Sequence, residues 1–343
     1  MQALLDLLTV HHVGNKANGE SLLLTNKVLS PGEAIKSLLQ TYFLSPFKNE
    51  QYYNLWHEDH QEQNEVFGSV SAIFDDPDTF VEQSKKLAER LYEQSTHPKI
   101  KDGEFYVALF RDCHIEGEVV DAIGLFKSEN KDTYLKVYAN GNQMAVESDD
   151  GFNINKLDKG CMIFNHERED GYVVSVVDNT NRGADALYWI DGFLGLRLRS
   201  DDYSHTSHTM NMCKKFISEE LPQSFEVSKA DQADMLNRSL SYFKEEETFS
   251  LDDFNQKVML QPEVMQTFNN YCDKFSEEYS VEIPDEFNVS DQAVKKEARG
   301  MKSVVKLDKN FHIYIHGDRA RIKRGVDEET GLRYYQLLFE SES

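Results

Sequence analysis

Phe105-Tyr106-Val107-Ala108-Leu109-Phe110 and Val119-Val120-Asp121-Ala122-Ile123-Gly124-Leu125-Phe126 are two β-rich runs joined by a short polar stretch. Three more such runs follow, Tyr134–Tyr138, Cys161–Phe164 and Tyr172–Val177, again separated by polar turns. Antiparallel strands can be joined by tight hairpins, whereas a parallel crossover needs a dozen or more residues and usually a helix. Strands in close succession with no helical stretch between them therefore favour an antiparallel meander over a doubly wound parallel sheet.

Upstream of this block the chain reads as mixed. Leu8–Val13 and Ser21–Thr25 form an expected hairpin with Asn18-Gly19 in its turn. Ser30-Pro31-Gly32-Glu33 carries the signature of a helix start: a serine N-cap, a proline at the first helical position and a glutamate closing a capping box. Ala34, Ile35, Leu38, Leu39, Tyr42 and Phe43 then keep helical spacing, which predicts one buried face. A second helix is expected over Asp78–Gln94, with Phe80, Ser84, Leu87 and Leu91 on one stripe. Met1–Val10 is apolar but short, with no basic leader, and reads as a first strand rather than a signal peptide.

Downstream, the turn at Asp178-Asn179-Thr180-Asn181-Arg182-Gly183 marks a change of character. Helices are expected near Ala184–Leu194, Ser204–Leu221, Ser228–Glu247, Leu251–Met259 and Pro262–Ser280. The stripes Ala233, Leu236, Leu240, Phe243 and Val264, Phe268, Tyr271, Phe275, Tyr279 read as core rather than as a cofactor box. A short helix holding Lys295, Lys296 and Arg299 leads into strands Val304–Leu307, Phe311–His316, Arg319–Arg324 and Leu332–Phe339. The expected class is α+β: an N-terminal mixed region with an antiparallel sheet (1–180), then a helical region (181–343) closing in a small C-terminal antiparallel β-sheet.

The 343 residues are 40% apolar and 28% charged, which excludes wholesale disorder. No apolar run approaches the 18 or so residues needed to span a bilayer, so no membrane partner is expected. Cys113, Cys161, Cys213 and Cys272 are spread evenly without a C-x-x-C spacing and read as buried thiols. Phosphate-cradling and nucleophile-elbow motifs are missing, so no cofactor and no catalytic residue set is expected.

Charge is the most informative feature. Lys and Arg total 37 against 60 Asp and Glu, a net charge of −23. A field of that sign repels phosphate, so any contact with nucleic acid has to be local. Residues 295–333 hold eleven Lys and Arg against six Asp and Glu, a local charge of +5. Alternation puts Arg319, Arg321 and Lys323 on one strand face opposite Ala320 and Ile322, and His312, Tyr314 and His316 opposite Phe311, Ile313 and Ile315. If both polar faces point the same way, they make a basic ribbon able to track a phosphate backbone. The residues expected to contact nucleic acid are Lys295, Lys296, Arg299, Lys302, Arg319, Arg321, Lys323 and Arg324. The competing reading is an ordinary solvated face, since edge strands carry Lys and Arg against aggregation.

Weaker constellations are present. Asp121 followed by Glu129-Asn130-Lys131 loosely matches the acid…Glu-x-Lys pattern of metal-dependent nucleases, a cheap match among 60 acids. His57-x-x-His60 and His205-x-x-His208 (the latter after Asp201 and Asp202) have metal-compatible spacing but no evident third ligand. They read as polar surface and caps, and no metal is expected.

Several stretches are similar to the bacterial 37-kDa nucleoid-associated protein family: Tyr42 through Phe47, Leu91 through Ser95, His97 through Glu104, Ala122 through Glu129, and Tyr188 through Gly195. The resemblance covers nearly the whole chain and implies a cytoplasmic bacterial protein of the nucleoid that associates with DNA. It implies no catalytic residues and no residue-level DNA site. The acidity keeps a second route open, in which an acidic module is recruited by a basic DNA-bound protein. A homodimer is compatible with the sequence, although periodicity identifies no exclusive interface.

Overall fold

In the computed structural model, residues 3–48, 51–180, 188–279, 281–301, 304–308, 311–314 and 321–341 are described. The chain forms two compact units, Met1–Arg199 and Ser200–Ser343. The sequence-based division lay at 180/181.

The first unit begins with β1 (Leu4–Val13) and β2 (Leu22–Leu23), paired antiparallel at His12–Leu23 and Val13–Leu22. Gly19, at φ 71°, takes the left-handed position in the turn between them. α1 (Glu33–Leu44), β3 (Tyr52–Leu55), α2 (Glu65–Asp75) and α3 (Phe80–Gln94) follow. Next come β4 (Gly103–Ile115), β5 (Glu118–Ser128), β6 (Asp132–Asn140), β7 (Gln143–Gly151), β8 (Lys159–Phe164), β9 (Val173–Asp178) and β10 (Leu196–Leu198). An eight-stranded sheet runs β10-β3-β9-β8-β5-β4-β1-β2, and its pairings are antiparallel. The expected meander is therefore present as β4-β5-β8-β9. It is interrupted by β6 and β7, which among the described residues pair only with each other.

Alternation sorts the central strands onto two cores. Val107, Leu109, Ile123, Leu125, Cys161 and Ile163 join α2, α3 and the wide turn Tyr188–Leu194 in one cluster. Ala108, Phe110, Ala122, Phe126, Met162 and Phe164 join Tyr42, Phe43 and Leu44 of α1 in the other. Phe126 stacks on Phe43 with ring centroids 4.2 Å apart. Strands covered on both faces must be apolar at both parities, as Ala122–Phe126 is.

α3 buries Phe80, Ser84, Leu87 and Leu91 as its spacing predicts. α1 departs from expectation twice. Gly32 stays extended (φ −62°, ψ 158°), so the helix starts at Glu33 and the Ser30 capping box does not form. Only its last turn is buried: Tyr42 meets Ser128 through its hydroxyl (2.6 Å), whereas Ile35 and Leu38 lie exposed.

The second unit contains α4 (Asp202–Lys215), α5 (Leu221–Ser224), α6 (Lys229–Glu245), β11 (Thr248–Ser250), α7 (Leu251–Phe254) and α8 (Pro262–Tyr279). β12 (Glu286–Asn288), α9 (Asp291–Glu297), β13 (Val304–Leu307), β14 (Phe311–Tyr314), β15 (Ile322–Val326) and β16 (Arg333–Leu337) complete it. Asp201 and Ser228 cap α4 and α6 with full capping boxes. The two stripes are core: Leu236, Phe243, Val264, Phe268 and Phe275 are buried in one cluster, with Leu240 and Tyr271 against it. Tyr279 is the exception, exposed beneath the Lys215 ammonium at 4.1 Å. Cys113, Cys161 and Cys213 are buried free thiols and Cys272 is half-buried. Among the described residues, no helix is long and apolar enough to cross a membrane.

Candidate nucleic-acid interface

α9 starts on Ser290, whose hydroxyl accepts from the Ala293 N–H, and it buries Ala293 and Val294. Lys295 and Lys296 lie exposed in its last turn, where the helix dipole favours cations. Lys296 reaches over the Tyr203 ring at 5.7 Å. Arg299 is exposed just beyond the helix end.

β13 and β14 pair antiparallel, and so do β15 and β16, as two separate two-stranded sheets. Their anchor is a small cluster in which Ala230 and Ala233 of α6 meet Val305 and Ile322, with Leu307, Ile313 and Tyr335 packed against it. Both hairpins turn an apolar face to this cluster, so their other faces point away from it. Directly opposed residues share a face: Lys323 and Gln336 lie on the outward side of β15–β16, while Arg324 and Tyr335 lie on the side of Ile322. Gly325 sits under the Tyr334 ring, where a Cβ would fall 2.4 Å from ring atoms.

The eight expected contact residues divide as follows. Lys295, Arg299, Lys323 and Arg324 are exposed and make no ion pair among the described residues. Arg321 pairs with Glu340 at 2.7 Å, both side chains more than half exposed, a pair worth little in water. Lys302 and Arg319 lie outside the described residues, as do Ala320, Ile315 and His316 of the expected faces and residues 181–187 of the expected turn and helix. Among the described residues β14 pairs with β13 and β15 with β16, and no pairing joins the His312 strand to the Lys323 strand; residues 315–320 between them lie outside the described residues. Exposed aromatic surface does accompany the cations: Tyr314 and Tyr334 are both substantially exposed. At the β15–β16 turn, Asp327 accepts from the Thr330 N–H (2.8 Å) and hydroxyl (2.7 Å) and from the Glu329 N–H (3.2 Å). Those bonds, the Thr330 hydroxyl first, hold its carboxyl below the usual range, so the hairpin tip is acidic although its strand is basic.

The nuclease-like triad does not assemble. Asp121 lies on β5 and accepts from Arg111, while Glu129 follows the end of that strand. Eight residues along a strand span roughly 26 Å, too far to share one metal ion. Lys131 pairs instead with Glu104 at 3.2 Å. His57 is not helical, its Nδ1 accepting from the Asp59 N–H, and His205 Nε2 meets the Ser200 hydroxyl at 3.0 Å. Glu116, His166 and Glu167 do converge, but Arg199 takes both Glu116 oxygens (2.7 and 3.1 Å) and one of Glu167 (2.6 Å). That guanidinium is itself the counter-charge to both carboxylates.

A buried polar network escaped the sequence reading. Lys127, fully buried, donates to the Lys101 carbonyl (2.7 Å) and pairs with Glu129 (3.1 Å), which also accepts from the Tyr188 hydroxyl (2.9 Å). Lys159 pairs with Asp178 at 2.9 Å. Burial lowers the Lys127 pKa, opposed by Glu129, and burial followed by Glu129 raises that of Tyr188. The available signal was Lys127 directly after the all-apolar Ala122–Phe126, a charge where a two-faced strand has no solvent. The network ties the ends of β5, β8 and β9 to the turn at Tyr188.

The chain matches the family model NA37, nucleoid-associated protein YejK, over residues 9–330. No curated protein matches it.

Proposed function

This chain belongs to the nucleoid-associated protein YejK family, and from that premise we propose that it binds DNA with little sequence preference through its basic C-terminal surface. The observation carrying this reading is that Lys295, Arg299, Lys323 and Arg324 are exposed without ion pairs among the described residues, in the one stretch of local charge +5 in a chain of −23. Cations without acidic partners are free to displace counterions from phosphates. Contacts of that kind position a protein on the duplex and carry little base information. The contact is non-catalytic in this reading, and the protein acts in the bacterial cytoplasm at the nucleoid.

Fluorescence anisotropy across a salt series tests it. Neutralising about four phosphates gives a slope of log K against log salt near −3.6, roughly a hundredfold loss between 50 and 200 mM. The quadruple variant Lys295→Glu, Arg299→Glu, Lys323→Glu, Arg324→Glu, checked for folding by circular dichroism, is expected to lose binding. DNA left intact with Mg²⁺ or Mn²⁺ accords with the proposal, and cleavage would overturn its non-catalytic part. Binding unchanged in the variant would move the contact elsewhere.

The net charge of −23 supports a second reading, an acidic module recruited by a basic DNA-bound protein. Failure of both wild type and variant to bind DNA at low salt would select it.

A further inference from the structure

Among the described residues β6 and β7 form a two-stranded ribbon of their own, in register from Asp132–Gly151 to Asn140–Gln143. Its polar ties beyond itself are at the base, where Asp132 accepts from Asn153 (3.1 Å) and Lys156 (3.1 Å). Directly opposed residues share a face, so Leu135, Val137 and Ala139 lie with Ser148, Val146 and Met144. Beyond the Thr133–Asp150 pair at the base, that face carries no charge. Its large side chains are uncovered: Leu135 is 71% exposed, Met144 69%, Val146 62% and Val137 60%. The opposite face is polar, with Tyr134 donating to Asp149 (3.3 Å), Tyr138 to Glu147, and Lys136 over the Tyr138 ring. An isolated hairpin is marginal in water, and a contiguous exposed apolar face marks an interaction surface. Asp132, Glu147, Asp149 and Asp150 against Lys136 make the ribbon acidic, the wrong sign for a nucleic-acid groove.

We infer that this face is the seat of a second copy of the same chain, the two ribbons stacked face to face about a twofold axis through the Val137–Val146 pair. The sizes of the side chains support self-pairing. A twofold axis running across the strands in the plane between the ribbons lays each strand antiparallel over its own counterpart. Leu135 then lies over Ala139 of the second copy and Met144 over Ser148, large against small, with Val137 and Val146 each over themselves. Facing layers interdigitate when large and small residues alternate in this way. Charge also permits it. Nine residues make an arm of about 30 Å. The antiparallel stack holds the two ribbon bases, and the eight-stranded sheets they leave, at opposite ends, several times the screening length of about 8 Å at physiological salt. Two faces of about 30 by 10 Å bury roughly 600 Å² together, short of the 1,200 Å² or more of a stable complex, so the dimer is weak and concentration-dependent.

Sedimentation equilibrium of the full chain over a concentration series tests this independently of DNA. The expected result is a monomer–dimer equilibrium that tightens as salt is raised, the reverse of the DNA trend. Val137→Lys with Val146→Lys, at exposed positions that leave the circular dichroism unchanged, is expected to weaken association at least tenfold. Ala139→Leu sets leucine over leucine and weakens it, and adding Leu135→Ala restores it. A single-chain mass at every concentration would overturn the inference. So would a dimer indifferent to the double lysine variant, or one strengthened by Ala139→Leu alone.

Discussion

β5 and β6 are separated by Glu129-Asn130-Lys131, and both are β-rich, yet they meet opposite fates. The last seven residues of β5, from Ala122 to Ser128, are buried without a break, whereas no residue of β6 is buried. The difference is written in parity. Ala122-Ile123-Gly124-Leu125-Phe126 offers apolar or small side chains to both faces, and each face finds a core. Tyr134-Leu135-Lys136-Val137-Tyr138 alternates, so one face is built for solvent and the other waits for cover. Strand propensity is shared by both; the partner available to each face separates them.

The sharpest way to break this contrast is in the core. Phe126→Ala removes a ring buried against Phe43, Phe47 and Phe110 and is expected to cost about 3–5 kcal/mol in urea unfolding. A loss near that of an exposed site would mean that the two-faced core is loosely packed.

pH is expected to act on the sheet through a buried imidazole. His11 on β1 is buried, its Nδ1 accepting from the Thr25 N–H (3.0 Å) and its Nε2 facing the Ser84 hydroxyl (3.1 Å). Burial first, then Lys85, lowers its pKa from 6.5 to about 4. The neutral ring is the folded form, so its stabilisation is complete above pH 6.5 and is lost as pH falls towards 4. The loss is about 3 kcal/mol at most. Comparing wild type with His11→Gln at pH 7 and pH 4.5 isolates this contribution, and equal pH dependence in the two would contradict it.

Asp158 marks the boundary between the regions. Its carboxylate accepts from the Glu129 N–H (2.6 Å), the Asn130 N–H (3.0 Å) and the Asn130 side chain (2.6 Å), fixing the chain where the sheet ends and the ribbon begins. Asp158→Ala is expected to cost about 2 kcal/mol, since losing a charged acceptor leaves three part-buried donors unpaired. Amide exchange should quicken across Asp132–Gly151 while β4 and β5 stay protected. The smallest effect belongs to the ribbon itself: Val137→Ala should change monomer stability by no more than about 0.5 kcal/mol. A larger loss would show that something in the monomer covers this face.

The stripe of α3 was legible because a long period of apolar residues has one physical solution, and the aromatic stripes of α6 and α8 were legible for the same reason. α2 was missed although Asn64 caps it and Val66, Val70 and Ile73 keep its spacing, because Gly68 and the β-branched residues obscure a helical reading. The exposed half of α1 could not be read, since spacing shows which residues share a face and not whether another element covers that face. The C-terminal cations were legible as charge, but the pairing of β14 with β13 and of β15 with β16 was not.

By itself the sequence determined the α+β class, the antiparallel order of the central strands, the helical stripes of the second unit and the sign of its C-terminal charge. These follow from local periodicity and composition, which act over a few residues. Only the tertiary structure decided that the Lys127 and Glu129 side chains are enclosed beside a half-buried Tyr188, that Asp121 is held far from them, and that β6 and β7 leave the sheet. Such outcomes depend on which distant segments arrive at a given face, and burial is a property of that meeting rather than of any residue alone.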